Sequence, residues 1–183
     1  KLIGARIFNK NYVAQVGNKL DPALRSARDF VGHGTHTLST AGSDFVRGAN
    51  VFGNGNGTAK GGSPRARVVS YKACWHKMDT GGCHDADILA AFDHAIYDGV
   101  DVILASVGPS DAYMEALLTD GISIGAFHVV ARNIVVVCSV GNDGPSPLSV
   151  TNVAPWIFTV AASTMDKDFL GNISVDGYKH YVK

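Results

Sequence analysis

The stretch Ile134–Val140, IVVVCSV, constrains the fold of this 183-residue chain more than any other segment. Its apolar residues run on instead of alternating, as in a strand buried on both faces of a parallel sheet. Helical patterns stand near it. Asp85–Tyr97 places Ile88, Leu89, Phe92, Ala95 and Ile96 on one helical face, with Asp85 suited to the N-cap and Gly99 to the stop. Met114–Arg132 reads as a second helix, apolar nearly all round in its latter part, stopped by Asn133 and expected to be deeply buried. Arg67–Trp75, Val100–Val107 and Ile157–Ser163 read as further strands. Strand, helix, strand, helix, strand predicts an α/β fold with a parallel sheet and right-handed crossovers. Functional sites in such sheets gather outside the carboxyl ends of the strands, so Ser106–Gly108 and Gly141–Asn142 are expected on one rim.

The rest is less regular. Leu2–Phe8 reads as a short strand, Asn9–Phe30 as loop, and His33–Gly42 as a short helix of small residues. Phe52–Gly62 reads as a Gly-rich loop, and periodicity is lost after Asp166. Lys+Arg and Asp+Glu both number 16, which argues against generic attraction to nucleic acid or membrane surfaces. No apolar run is long enough for a bilayer-spanning helix. A chain starting at Lys1 without Met is expected to be a processed or excised product. Cys74 and Cys83 bracket a Gly-rich loop and suit a disulfide, whereas Cys138 lies in an apolar run and suits a buried thiol. Asn56-Gly57-Thr58 and Asn172-Ile173-Ser174 are glycosylation sequons in loop-like contexts and fit a secretory route.

His33, between Gly32 and Gly34 at a helix start, is uncrowded and suits a general base that becomes a general acid. His36 reads as structural. Asn142, 109 positions after His33, sits in the turn Gly141-Asn142-Asp143-Gly144 and can point its amide at a developing oxyanion. Ser106-Val107-Gly108 could pair with an extended peptide by strand addition, and Pro109 limits further pairing. Cys74, His76, Cys83, His84, Asp85 and Asp87 form a superficially metal-like group without a CxxC or HxxxH core. No metal and no other cofactor is expected.

Long stretches of this text resemble the subtilisin-like serine proteases, most closely plant subtilases of the cucumisin type. They are GHGTHTLST, GNGTAKGGSPRARVVSYKACW, DADILAAFDHAIYDGVDVI, DGISIGAFHVV, VVVCSVGNDGP and NVAPWIFTVAAST. The resemblance implies a doubly wound, mostly parallel sheet with helices on both faces, here as a partial peptidase domain over residues 1–183. It implies His33 as the catalytic histidine and Asn142 as the oxyanion asparagine. It also implies Ser106, Val107 and Gly108 as a cleft wall, with Ser139, Val140 and Gly141 near the specificity pocket. The family orders its triad Asp, His, Ser. The Asp-Thr-Gly segment expected before Lys1 and the later Gly-Thr-Ser segment are not in this chain. Asp29 stands where the family has an ordinary loop acid, and Asp79-Thr80-Gly81 is an accidental match. Val107-Gly108-Pro109 replaces Leu-Gly-Gly, Val140 replaces alanine, and Asp143 brings an unfavourable charge beside the oxyanion site.

The expected function is therefore a segment of a secreted endopeptidase, apoplastic or vacuolar, acting on protein or peptide substrates through an acyl-enzyme. The alternative is a non-catalytic subtilase-derived product with a binding, inhibitory or storage role. In either case the family's central serine-bearing helix is not in this chain, so an apolar face should be bare. The remaining segments of the same protease, self-association or local rearrangement would then cover it.

Overall fold

The computed structural model describes residues 1–17, 25–75, 82–108, 117–165, 171–175 and 177–182. In chain order the elements are β1 (Leu2–Ile7), α1 (Lys10–Val16), α2 (His33–Gly42), β2 (Val46–Val51), β3 (Asn54–Ala59), β4 (Val68–Lys72), β5 (Cys74–Trp75) and β6 (Gly82–Cys83). They continue with α3 (Asp85–Asp98), β7 (Val102–Ala105), α4 (Gly121–Val130), β8 (Val135–Ser139), β9 (Phe158–Val160), β10 (Gly171–Val175) and β11 (Tyr178–Val182). The parallel framework comes in two pieces, β1-β4 and β7-β8-β9. The strand–helix–strand unit β4-α3-β7 joins them in sequence, but β4 and β7 share no ladder. Apolar runs mark these parallel strands in the sequence and cannot say which strands are neighbours.

Helix α3 forms where its period predicts. Gly99, at φ 69°, ends it and donates its N–H to the Ile96 carbonyl. The N-cap is His84, not Asp85. Asp85 and Asp87 instead occupy the first turn, where carboxylates favour the helix dipole. Asp87 also anchors α1. It is buried and accepts the N–H groups of Asn11 (3.1 Å) and Tyr12 (3.0 Å), unpaired donors at the start of that helix. This tertiary anchor, with Tyr12 stacked on Trp75, explains a helix inside the segment Asn9–Phe30 that reads as loop. Helix α4 starts at Gly121 rather than Met114, because the Asp120 side chain caps the N–H groups of Ile122 and Ser123. Residues 114–116 lie outside the described residues. Asn133, at φ 61°, stops the turn that follows.

The core joins both pieces. Phe92, Ile122, Ala126, Val129, Val136 and Cys138 form its centre, with Tyr71 of β4 and Ala73 just beyond it against the same cluster. Val68 and Lys72 alternate to the opposite face of β4, where Gly42 of α2 meets Val68 and Lys72 donates to the carbonyls of Ser26 (3.2 Å) and Arg28 (2.8 Å). Helices thus lie on both faces of this piece. On β7-β8-β9 the face away from the core carries Leu104, 57% exposed, and Phe158, 67% exposed. The bare apolar face expected from the sequence is present, and the two-sided cover expected for Ile134–Val140 is supplied on one side only.

Two hairpins correct the sequence reading. The Gly-rich loop is largely strand: β3 pairs antiparallel with β2, from Val46↔Ala59 to Val51↔Asn54. Beyond Asp166, β10 pairs with β11. Asn56 and Asn172 therefore sit on strands, not in loops. Glycine is poor in strand propensity, and β3 has no buried face to leave an alternating trace. Cys74 and Cys83 are joined by a disulfide across the paired strands β5 and β6.

Gly61 is the tightest point beside α2. A Cβ there would meet Ser43 N, Ser39 O at 2.7 Å and Gly42 N at 2.8 Å, all backbone atoms. Gly61→Ala is expected to destabilise the protein by about 2–3 kcal/mol, since backbone cannot rotate away as a side chain can. Denaturant titration checks this, and an unchanged midpoint would contradict it.

Candidate functional site

Helix α2 begins at His33, with Gly32 at φ 91° as its N-cap. A left-handed N-cap glycine has no side chain to satisfy the first N–H groups, and Asp29 does so instead. Its carboxylate accepts from Val31 N (3.0 Å), Gly32 N (2.9 Å), Thr35 N (2.7 Å) and Thr35 Oγ1 (2.8 Å). These donors, Thr35 N–H foremost, hold the Asp29 carboxyl far below the usual carboxylate range against a smaller opposing effect of burial. Asp29 is thus the anchor of the turn that presents His33. Its N-terminal position, ahead of a glycine cap, is the signal the sequence carried for it.

Lys72 holds the same segment from behind. Its ammonium lies 4.3 Å from the Trp75 ring centroid and 5.3 Å from that of Phe30. Burial pulls its pKa down, and Asp29 opposes that pull. Both His33 and His36 are exposed. Among the described residues, no hydrogen bond or ring contact joins His33 to Asn142 or to the strand ends. No group of three His, Cys, Asp or Glu suited to a metal occurs among the described residues, and His76 lies outside them.

The second half of the site lies past the ends of β7 and β8. Their ladder ends at Ala105↔Cys138. Beyond it, Ser106, Val107 and Gly108 leave β7, while Ser139 closes β8 and leads through Val140 and Gly141 to an exposed Asn142. The structure brings these two segments together through residues the sequence reading did not single out. The Asn152 amide donates to Val107 O (2.9 Å) and to Ser139 O (2.7 Å). Thr151 N–H donates to Val140 O at 2.9 Å. A Cβ on Gly108 or on Gly141 would lie 3.1 Å from the Thr151 hydroxyl, so both glycines are set by close approach. The readable hint was an asparagine placed ahead of Pro155, and it gave no partner. Pro109 lies outside the described residues, as do Asp79, Thr80 and Gly81. Cys138 beside this site is no substitute nucleophile: burial pushes its thiol up to about 12.

Asp29 gives the turn a pH dependence. A carboxyl whose pKa is lower folded than unfolded stabilises the fold above its unfolded value, and that gain is lost as pH falls. The loss is expected below about pH 4. At this partly exposed position solvent screening holds it to about 1 kcal/mol or less. Asp29→Asn should flatten the fall of the thermal midpoint between neutral pH and the acid range. A variant whose midpoint falls as steeply as the parent's would remove Asp29 from this role.

The subtilase family model matches residues 3–179. A subtilisin-like protease of Glycine max is 62% identical over 177 residues, covering 96% of this chain and 22% of the relative. Subtilisin-like protease SBT5.3 of Arabidopsis thaliana is 56% identical over 181 residues, covering 99% of this chain and 23% of the relative. The chain thus spans under a quarter of the length of these relatives. Among solved structures, sphericase superposes with TM-score 0.52 at 24% identity, covering 86% of this chain and 46% of that one. A psychrophilic protease, S41, gives 0.53 at 23% identity, covering 98% and 56%. These two likenesses speak to the fold.

Proposed function

The chain belongs to the subtilase family, and from that premise we propose that it forms part of the catalytic domain of a secreted serine endopeptidase. His33 takes the proton of a serine hydroxyl supplied from outside this chain and returns it to the leaving amine. The acyl-enzyme forms between these two transfers. Asn142 donates its side-chain N–H to the oxygen of the tetrahedral intermediate. Ser106, Val107 and Gly108 flank one side of an extended peptide, and Ser139, Val140 and Gly141 flank the specificity pocket. The observation that supports this reading is the lacing of Val107 and Ser139 to one amide, which ties the two strand ends to each other.

The bare face of β7-β8-β9 and the outward-lying α2, whose one buried residue is Gly42, support complementary segments of the same protease as the natural cover. Residues 1–183 are on this reading a partial peptidase domain. Secretion to the apoplast or vacuole accords with the disulfide and with an exposed Asn56 in its sequon. Among the described residues, no helix is long and apolar enough to cross a membrane.

A fluorophosphonate probe applied to protein from its native source, followed by mass spectrometry, tests the proposal. A labelled serine on a subtilase-type polypeptide that carries or co-purifies with this sequence is the expected result. Its absence would favour the non-catalytic, subtilase-derived product.

A further inference from the structure

We propose that Asn152 is a positioning residue that sets the two walls of the substrate cleft, an inference that rests on the peptidase reading above. Backbone pairing cannot do this, because the β7–β8 ladder stops at Ala105↔Cys138 and the β8–β9 ladder at Ser139↔Val160. Past those pairs, one side chain spans the walls. Asn152 is 2% exposed and gives its Nδ2 group to Val107 O on one wall and Ser139 O on the other. An amide nitrogen carries two hydrogens, so both are used. Its Oδ1 is buried without a partner among the described residues, so the amide is held by its donor side alone.

The backbone of Asn152 is built for this position. Its φ is 56°, a conformation asparagine tolerates better than other residues with a side chain. Its carbonyl accepts the Thr159 hydroxyl in the middle of β9, and the preceding Thr151 N–H holds Val140 O. The amide is therefore fixed to the sheet at its base and to both walls at its tip. A peptide group is planar and trans, so its C=O and N–H point opposite ways. Turning the Val107 carbonyl onto Asn152 turns the Gly108 N–H away from it. Among the described residues the Gly108 N–H meets no backbone acceptor.

The test uses the full-length protease with Asn152→Gly, which accepts the positive φ and deletes the amide. For a peptide long enough to run along the wall, kcat/KM is expected to fall at least about tenfold, mainly through KM. Labelling by a small fluorophosphonate, which does not reach the wall, should stay within about threefold of the parent. Amide exchange should quicken in 106–108 and 139–141. A folded glycine variant with parental KM for long peptides and parental exchange in both segments would overturn the proposal. Should that variant not fold, Asn152→Asp serves: its carboxylate faces two carbonyls, so cleavage of the long peptide relative to the parent should improve as pH falls and the protonated acid regains one donor. A flat ratio to the parent across that range would overturn the proposal equally. If the parent itself takes no label, the peptidase reading fails, and the exchange comparison still decides whether Asn152 holds the walls.

Discussion

His33→Ala in the full-length protein is expected to lower kcat by about 10⁶-fold while moving KM by less than about threefold, the kcat loss being that of the histidine in subtilisin itself. The structure explains why the loss should be kinetic. His33 is exposed at the first position of α2, so the imidazole supports no core contact. The turn that carries it is held by Asp29 through backbone groups of Val31, Gly32 and Thr35, none of which alanine at position 33 disturbs. The variant should therefore unfold at the parent's midpoint. Steady-state hydrolysis of a peptide substrate and fluorophosphonate labelling should fall together, because both need the proton taken from the nucleophile. A variant keeping more than about a tenth of the parent's kcat would remove His33 from proton transfer.

Asn142→Leu should lower kcat by about 10²–10³-fold with little change in KM. The side chains are similar in size, and the substitution removes only the hydrogen-bonding end. The corresponding cost, about 2.7–4 kcal/mol, is that of subtilisin's own oxyanion asparagine, carried over to Asn142 through the family relationship. The effect falls on kcat because the donor meets charge that exists only once the carbonyl carbon is tetrahedral. Asn142 follows Gly141, whose φ of 90° turns the chain out of β8 and leaves the carboxamide exposed. Equal losses in kcat and in affinity for a ground-state product peptide would point to a binding role instead.

The two losses differ in kind. On the proposed roles the first removes a proton carrier and the second a preorganised dipole, so the double variant should lose less than the product of the two. Once proton transfer fails, the oxyanion donor has less transition state to stabilise.

Particular residues show how much was legible. The helix at Asp85–Asp98 was readable because its apolar face repeats at 3.6 residues and Gly99 closes it. The run at Ile134–Val140 announced a strand with parallel neighbours, and only one of its two faces is covered. His33 and Asn142 were visible as a histidine between glycines and an asparagine in a turn. Helix α1 was not legible, because its anchor Asp87 lies 75 positions beyond Tyr12. The β2–β3 hairpin was hidden by its glycines, and the start of α4 by a cap at Asp120 inside an apolar stretch.

Sequence alone determined the elements with local periods, the α/β class and the residue types able to do acyl-transfer chemistry, since these depend on neighbours within a few turns. Tertiary structure alone decided that β4 and β7 do not pair, that Asp29 completes the start of α2, and that Asn152 reaches both strand ends. Each of those depends on where a donor or an edge finds its partner in space. A hydrogen bond spanning 45 positions, such as Asn152 to Val107, leaves no repeat in the text that could announce it.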